Sequence, residues 1–172
     1  MKNGIFVFSA IAVAMMAVPA AAHVGLENRQ AAPGSYYKAT FQISHGCNGA
    51  PTVQVRVKIP EGVISVKPQP KPGWKLSTVL AKLPQPVDAG HGKTINETVS
   101  EVSWSGGNLS NDHFDEFKIA MKLPDRPGAE IYFPVVQDCQ KGVHRWIEIP
   151  EKGKPASELK EPAPKLQLTP KP

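Results

Sequence analysis

The residue with the most chemical reach is His23, because of what precedes it. Lys2 supplies a positive charge, an apolar stretch runs from Ile5 to Val18, and Ala20-Ala21-Ala22 satisfies the small-residue cleavage pattern of a secretory signal. Cleavage after Ala22 gives a mature chain that begins His23-Val24-Gly25-Leu26-Glu27 and works in the periplasm or outside the cell. A terminal histidine offers its α-amine and its Nδ1 to one ion, closing a chelate ring. The amine has a pKa near 8, so it loses its proton on binding at modest cost. Two nitrogens from one residue suit Cu(II), which favours tetragonal nitrogen and oxygen sites. The plain alternative is that cleavage merely exposes a histidine.

One residue does not fill a metal site. Asn111-Asp112-His113-Phe114-Asp115-Glu116-Phe117 is the richest cluster of further donors. In a strand starting at Phe114, Phe114 and Glu116 share one face while Asp115 and Phe117 share the other. A carboxylate on an apolar face is costly to bury unpaired, and coordination would remove that cost. The competing reading is an edge strand where Glu116 reaches water or pairs with a Lys or Arg. His45 beside Gly46-Cys47 reads as a loop histidine. His91 in Gly90-His91-Gly92 reads as a mobile loop, and His144 could face either side of its strand.

The two cysteines, Cys47 and Cys139, fit a disulfide in an oxidising compartment. It would close a loop of about 90 residues and contribute about 4 kcal/mol by chain entropy. A copper-thiolate pair is the rival, but the spacing is not that of a C-x-x-C motif.

The elements that must position these residues read as strands. Tyr37–Ile43 and Val53–Ile59 alternate apolar and polar residues, and the second is close to a perfect period of two. Gln54, Arg56 and Lys58 would face water. Val63–Val66, Trp74–Leu80, Thr94–Trp104, Phe114–Leu123, Ile131–Val136 and Val143–Ile149 complete about eight strands, with Gly106-Gly107-Asn108 breaking the chain after Trp104. With 18 prolines and 14 glycines at the turns, the pattern is a single-domain antiparallel β-sandwich. Trp74, Trp104 and Trp146 are core candidates. Three segments follow: 1–22 as the cleaved signal, 23–150 as the sandwich, and 151–172 as a Pro/Lys-rich extended tail, with Leu166 and Leu168 able to dock back.

Removing the signal from 172 residues leaves 150, enough for one core. The charge of +5 comes from 20 Lys and Arg against 15 Asp and Glu. The lysines are dispersed without interleaved aromatics, so nucleic acid is not an expected partner. The apolar stretch at the start is short for a span, and nothing later is long and apolar enough.

The chain resembles the YcnI-like copper-binding family of secreted and periplasmic bacterial proteins. The resemblance is carried by His23-Val24 with Glu27, Pro33-Gly34-Ser35-Tyr36, and Val55–Val63. It continues through Lys71-Pro72-Gly73-Trp74, Val102–Gly107, Phe114-Asp115-Glu116-Phe117 and Arg145-Trp146-Ile147-Glu148. It implies an immunoglobulin-like β-sandwich that binds Cu(II) through a single-histidine brace. His23 would give amine and imidazole, Glu116 the carboxylate, and Trp146 the nearby indole, with Glu27 and Asp112 as further acids near the site. It implies a copper chaperone or acquisition factor, not an enzyme, whose partners are copper and other periplasmic carriers or a copper transporter. Two other classes stand beside it. One is a copper-dependent oxidative enzyme of the histidine-brace type, with His113 or His144 as second imidazole. The other is a metal-free interaction module.

Overall fold

The computed structural model describes residues 23–90, 92–151 and 156–171, so the expected signal peptide and His91 lie outside the described residues. Alternation in the sequence becomes strand in the structure. Strands β1 (Gly25–Leu26), β3 (Tyr36–Ile43), β8 (Asp115–Lys122) and β5 (Ile64–Pro68) form one sheet in the order β1-β3-β8-β5. The second sheet runs β11 (Val143–Trp146), β10 (Val135–Cys139), β4 (Thr52–Lys58), β7 (Thr94–Leu109), β6 (Lys75–Asp88). A small third sheet orders β2 (Gln30–Ala31), β12 (Lys165–Leu168) and β9 (Glu130–Tyr132). Pairing is antiparallel except between β12 and β2. The helical element among the described residues is a 3-10 turn at Ala156–Glu158, and no described helix is long and apolar enough to cross a membrane.

The two large sheets bury their inward residues in one core. Phe41, Val55, Val57, Trp104, Phe117, Ile119, Met121 and Phe133 are all but fully enclosed. Trp104 and Phe117 meet edge to face at 5.3 Å between centroids, and the Trp104 indole N–H donates to the Gln69 carbonyl at 2.9 Å. Such pairs contribute about 0.5–1.5 kcal/mol beyond area burial.

Five expectations change. The phase of β4 slips between Thr52 and Gln54, so Thr52 turns inward and Val53 is only half-buried. The glycine pair does not end β7. Gln54 pairs with Ser105 and Thr52 with Leu109, so Gly106–Asn108 form a bulge, with Gly106 at φ +78°. The segment expected at Ile131–Val136 divides at Phe133-Pro134 into β9 and β10, which join different sheets. Most consequentially, the domain does not stop near Pro150. Lys165–Leu168 pairs with both β9 and β2, and Leu166 and Leu168 are completely buried, because the lysine and glutamine of that segment point outward while the leucines fill the core. Strand β6 also runs past Leu80 through Pro84 and Pro86. That is tolerated because β6 is an edge strand and its register with β7 shifts there.

The β7 bulge admits a ring. A Cβ on Gly107 would lie 2.0 Å from the Trp74 indole, which in turn meets Phe117 edge to face at 5.0 Å. Gly107→Ala is therefore expected to displace Trp74 and cost about 1–3 kcal/mol, as overpacking does. A urea midpoint equal to that of the parent chain would refute this.

Candidate functional site

The strand ends nearest the start of the domain gather the histidines. Val24 and Leu26 are buried and anchor β1 along β3, which leaves His23 half-exposed at the sheet end. Its ring meets Trp146 edge to face at 5.4 Å. Trp146 closes β11 opposite Val135 and is 4% exposed. The same indole takes His144 stacked at 4.9 Å and His45 edge to face at 6.2 Å. His45 and His144 lie 5.5 Å apart with perpendicular planes.

Gln137 explains why these rings stay together. It is 1% exposed and projects from β10 into the core. Its Oε1 accepts from the Trp146 indole N–H at 3.0 Å, and its Nε2 donates to the His45 carbonyl at 2.6 Å and to Thr52 Oγ1 at 2.8 Å. The bulge that turned Thr52 inward supplies the last of these acceptors. Gln137→Leu leaves the Trp146 N–H and the His45 carbonyl unsatisfied in a dry place. The expected loss is about 1–3 kcal/mol per orphaned group. Faster hydrogen exchange at the Trp146 indole should accompany it, and an unchanged indole exchange rate would refute the clamp.

Two more contacts fix the histidines. His144 Nδ1 lies 2.6 Å from Glu161 Oε1, and Glu161 Oε2 accepts the Arg145 backbone N–H at 2.8 Å. Burial works to raise the Glu161 carboxyl, but the His144 and Arg145 hydrogen bonds outweigh it and hold the group below the usual carboxylate range. His45 Nδ1 lies 2.6 Å from the Gly46 carbonyl. The segment carrying His45 is tied down by the Cys47–Cys139 disulfide and by the Gly46 N–H, which donates to Asn111 Oδ1 at 3.2 Å.

The acids expected near His23 are placed differently from one another. Gly25, Gln42 and Glu116 stand in one row across β1, β3 and β8. Their sequence neighbours Leu26, Phe41 and Phe117 are buried, so Glu116 points from the outer face of the sheet. It pairs with Lys118 at 2.8 Å and accepts from Gln42 Nε2 at 3.4 Å. The Lys118 hydrogen bond, followed by that of Gln42, holds the Glu116 carboxyl below its ordinary value. Glu27 follows β1, its N–H bonded to the Thr40 carbonyl, and its charge reaches Lys118 and Tyr37. Burial, helped by Glu27, pushes the Tyr37 hydroxyl up to about 12. Asp115 faces Lys71 at 2.5 Å, and Asp112 lies in the turn before β8, bonded by Asn111. Among the described residues, no three His, Cys, Asp or Glu side chains converge as a ready metal cage. The structure therefore joins His23 to Trp146. It brings in His45 and His144, read from sequence as a loop residue and a residue of open orientation, and it reveals Gln137 and Glu161, which no sequence motif marked.

Fold and site together define an immunoglobulin-like β-sandwich with a histidine cluster packed round one tryptophan at the domain's start. The chain belongs to the family described as Domain of unknown function (DUF1775), whose model matches residues 23–168; this is the YcnI-like family that the sequence resembles. It is 31% identical over 110 residues to the copper-binding protein CutI of Bacillus subtilis (strain 168). That alignment covers 63% of this chain and 47% of the relative, so the chain spans about half the length of the curated protein it matches. A crystal structure of an uncharacterized Nocardia farcinica protein, described as having an immunoglobulin-like fold, matches with a TM-score of 0.64 at 25% identity. The match covers 86% of this chain and 98% of that one.

Proposed function

We propose that this protein binds Cu(II) outside the cytoplasm as a chaperone or acquisition factor, without catalysing a reaction of its own. The observation that carries the reading is the contact between His23 and Trp146, made by the residue at which the family match begins. Its similarity to a protein named for copper binding supports the choice of metal. Once the Ala22–His23 bond is cut, His23 gains an amine that no side-chain count includes. Amine and Nδ1 then form the chelate. Trp146 keeps water from one side and offers its ring face to the cation. Glu116 is the carboxylate of this reading. It stands two strand spacings, about 10 Å along the sheet, from Gly25, and it is ionised at neutral pH. Binding would draw the first residues toward it and displace Lys118. Export after Ala22, delivery to or from other periplasmic carriers or a copper transporter, and the absence of turnover belong to the same reading.

Electron paramagnetic resonance of Cu(II) added to the chain starting at His23, beside the same chain with one extra residue ahead of it, tests the brace. A nitrogen-rich tetragonal signal at one equivalent is expected for the first and not for the second. Identical spectra would sink the proposal. Glu116→Gln with unchanged affinity and spectrum would remove Glu116 alone, and ascorbate-driven peroxide well above a control protein would remove the carrier role.

A further inference from the structure

The geometry points to a second copper position, a two-imidazole Cu(I) site formed by His45 and His144 on the other contacts of Trp146. It rests on the reading above only for the choice of metal. The first support is the tautomer. His45 Nδ1 faces a carbonyl oxygen and His144 Nδ1 faces a carboxylate, at 2.6 Å each. Both partners only accept, so each Nδ1 donates a proton and Nε2 is the nitrogen a metal would take, displacing any proton it holds. The second support is the outer partner. A metal-binding histidine commonly gives its other N–H to a carboxylate, which fixes the ring and raises its basicity. Glu161 does this for His144, and it is itself held by the Arg145 N–H, while its own N–H donates to Glu148 Oε2 at 2.8 Å. The third is separation. Two imidazoles on one ion at about 2.0 Å per bond place their centroids about 6 Å apart when opposed and closer when bent. The observed 5.5 Å falls within that span.

The oxidation state follows from the donor set. Two neutral nitrogens offer no tetragonal frame, which disfavours Cu(II), whereas a d10 cuprous ion makes no such geometric demand. His23 contacts the same indole but, among the described ring contacts, neither His45 nor His144. The two positions are therefore neighbours across Trp146, suited to holding copper in its two oxidation states. The docking of 156–168 gains a purpose here, since it delivers Glu161.

The test is Cu(I) competition against a chromophoric chelator under ascorbate, which spares the disulfide, using the chain from His23. One equivalent of Cu(I) is expected to bind, and to bind equally when an extra residue precedes His23. His144→Phe keeps a ring on Trp146 without the ligand and should abolish the binding; His45→Phe should do the same. Glu161→Gln should weaken it by about 10–100-fold. Thermal midpoints of the variants confirm that they are folded. Cu(I) binding that survives His144→Phe in a folded chain overturns the site. So does loss on extending the terminus, which would assign both histidines to the His23 ion. Absence of a Cu(II) signal with intact Cu(I) binding would instead strike the terminal brace and leave this site standing.

Discussion

A chain that stops at Pro150 is expected to fail to fold. Strand β12 is the middle strand of its sheet, so its removal strips partners from β2 and β9 together. It also withdraws Leu166 and Leu168, both completely buried, from the common core. Truncating one such leucine to alanine costs about 2–5 kcal/mol. The remaining backbone loses hydrogen-bond partners as well, because Phe133 N–H donates to the Pro164 carbonyl and the Ala129 carbonyl accepts from Leu168 N–H. Against a typical total of about 5–15 kcal/mol, these losses leave little or nothing. The checks are near-ultraviolet dichroism and urea unfolding of residues 23–150 beside residues 23–172. No cooperative transition is expected for the shorter chain, and Leu166→Ala with Leu168→Ala in the longer one should cost at least about 4 kcal/mol. A truncated chain that unfolds cooperatively near the parent midpoint would refute the account.

That strand shows where the sequence was readable and where it was not. In β4 the local pattern is long and both signals agree, so Val55 and Val57 are found inside as expected. In β12 the alternation Lys165-Leu166-Gln167-Leu168 is only four residues long, and prolines on either side carry the opposite message. What makes it a strand is pairing with two segments far away in the chain, which local periodicity does not encode. The glycines of β7 mislead for a related reason. Gly106-Gly107 has the composition of a break, but a bulge needs the same freedom, and only the presence of Trp74 against Gly107 distinguishes the two. At the site, His23 was marked by its place after a cleavage pattern, while Trp146 was marked by family resemblance alone. Gln137 carried no signal at all. A glutamine in a strand is ordinarily an outward residue, and its burial is repaid only by three partners on Trp146, His45 and Thr52. His144 and Glu161 were each visible as residues, but their pairing required the tail to dock.

Replacing Cys47 and Cys139 together by alanine is expected to lower stability by about 4–5 kcal/mol, the chain-entropy value for a loop of this length. The bond joins residues 92 apart, so it closes most of the sandwich into one loop, and both residues are buried. The global loss should come with a local one. Cys47 lies two residues beyond His45, whose carbonyl accepts from Gln137, and Gln137 holds the Trp146 indole. With the cross-link gone, the 44–51 segment keeps the mutual backbone hydrogen bonds of Cys47 and Ala50 and the Gly46–Asn111 bond, but no covalent tie to β10. The urea midpoint should therefore fall while the slope rises, because the unfolded chain without the cross-link exposes more surface, and the Trp146 indole hydrogen should exchange faster than the loss of global stability alone requires. If the midpoint falls while indole exchange follows it in proportion, the disulfide acts on the unfolded chain only. An unchanged midpoint would contradict the expected contribution outright. The distinction bears on the proposed function because His45, Trp146 and His144 form one packed cluster, and only a disulfide that orders the folded state would also hold the proposed copper ligands in place.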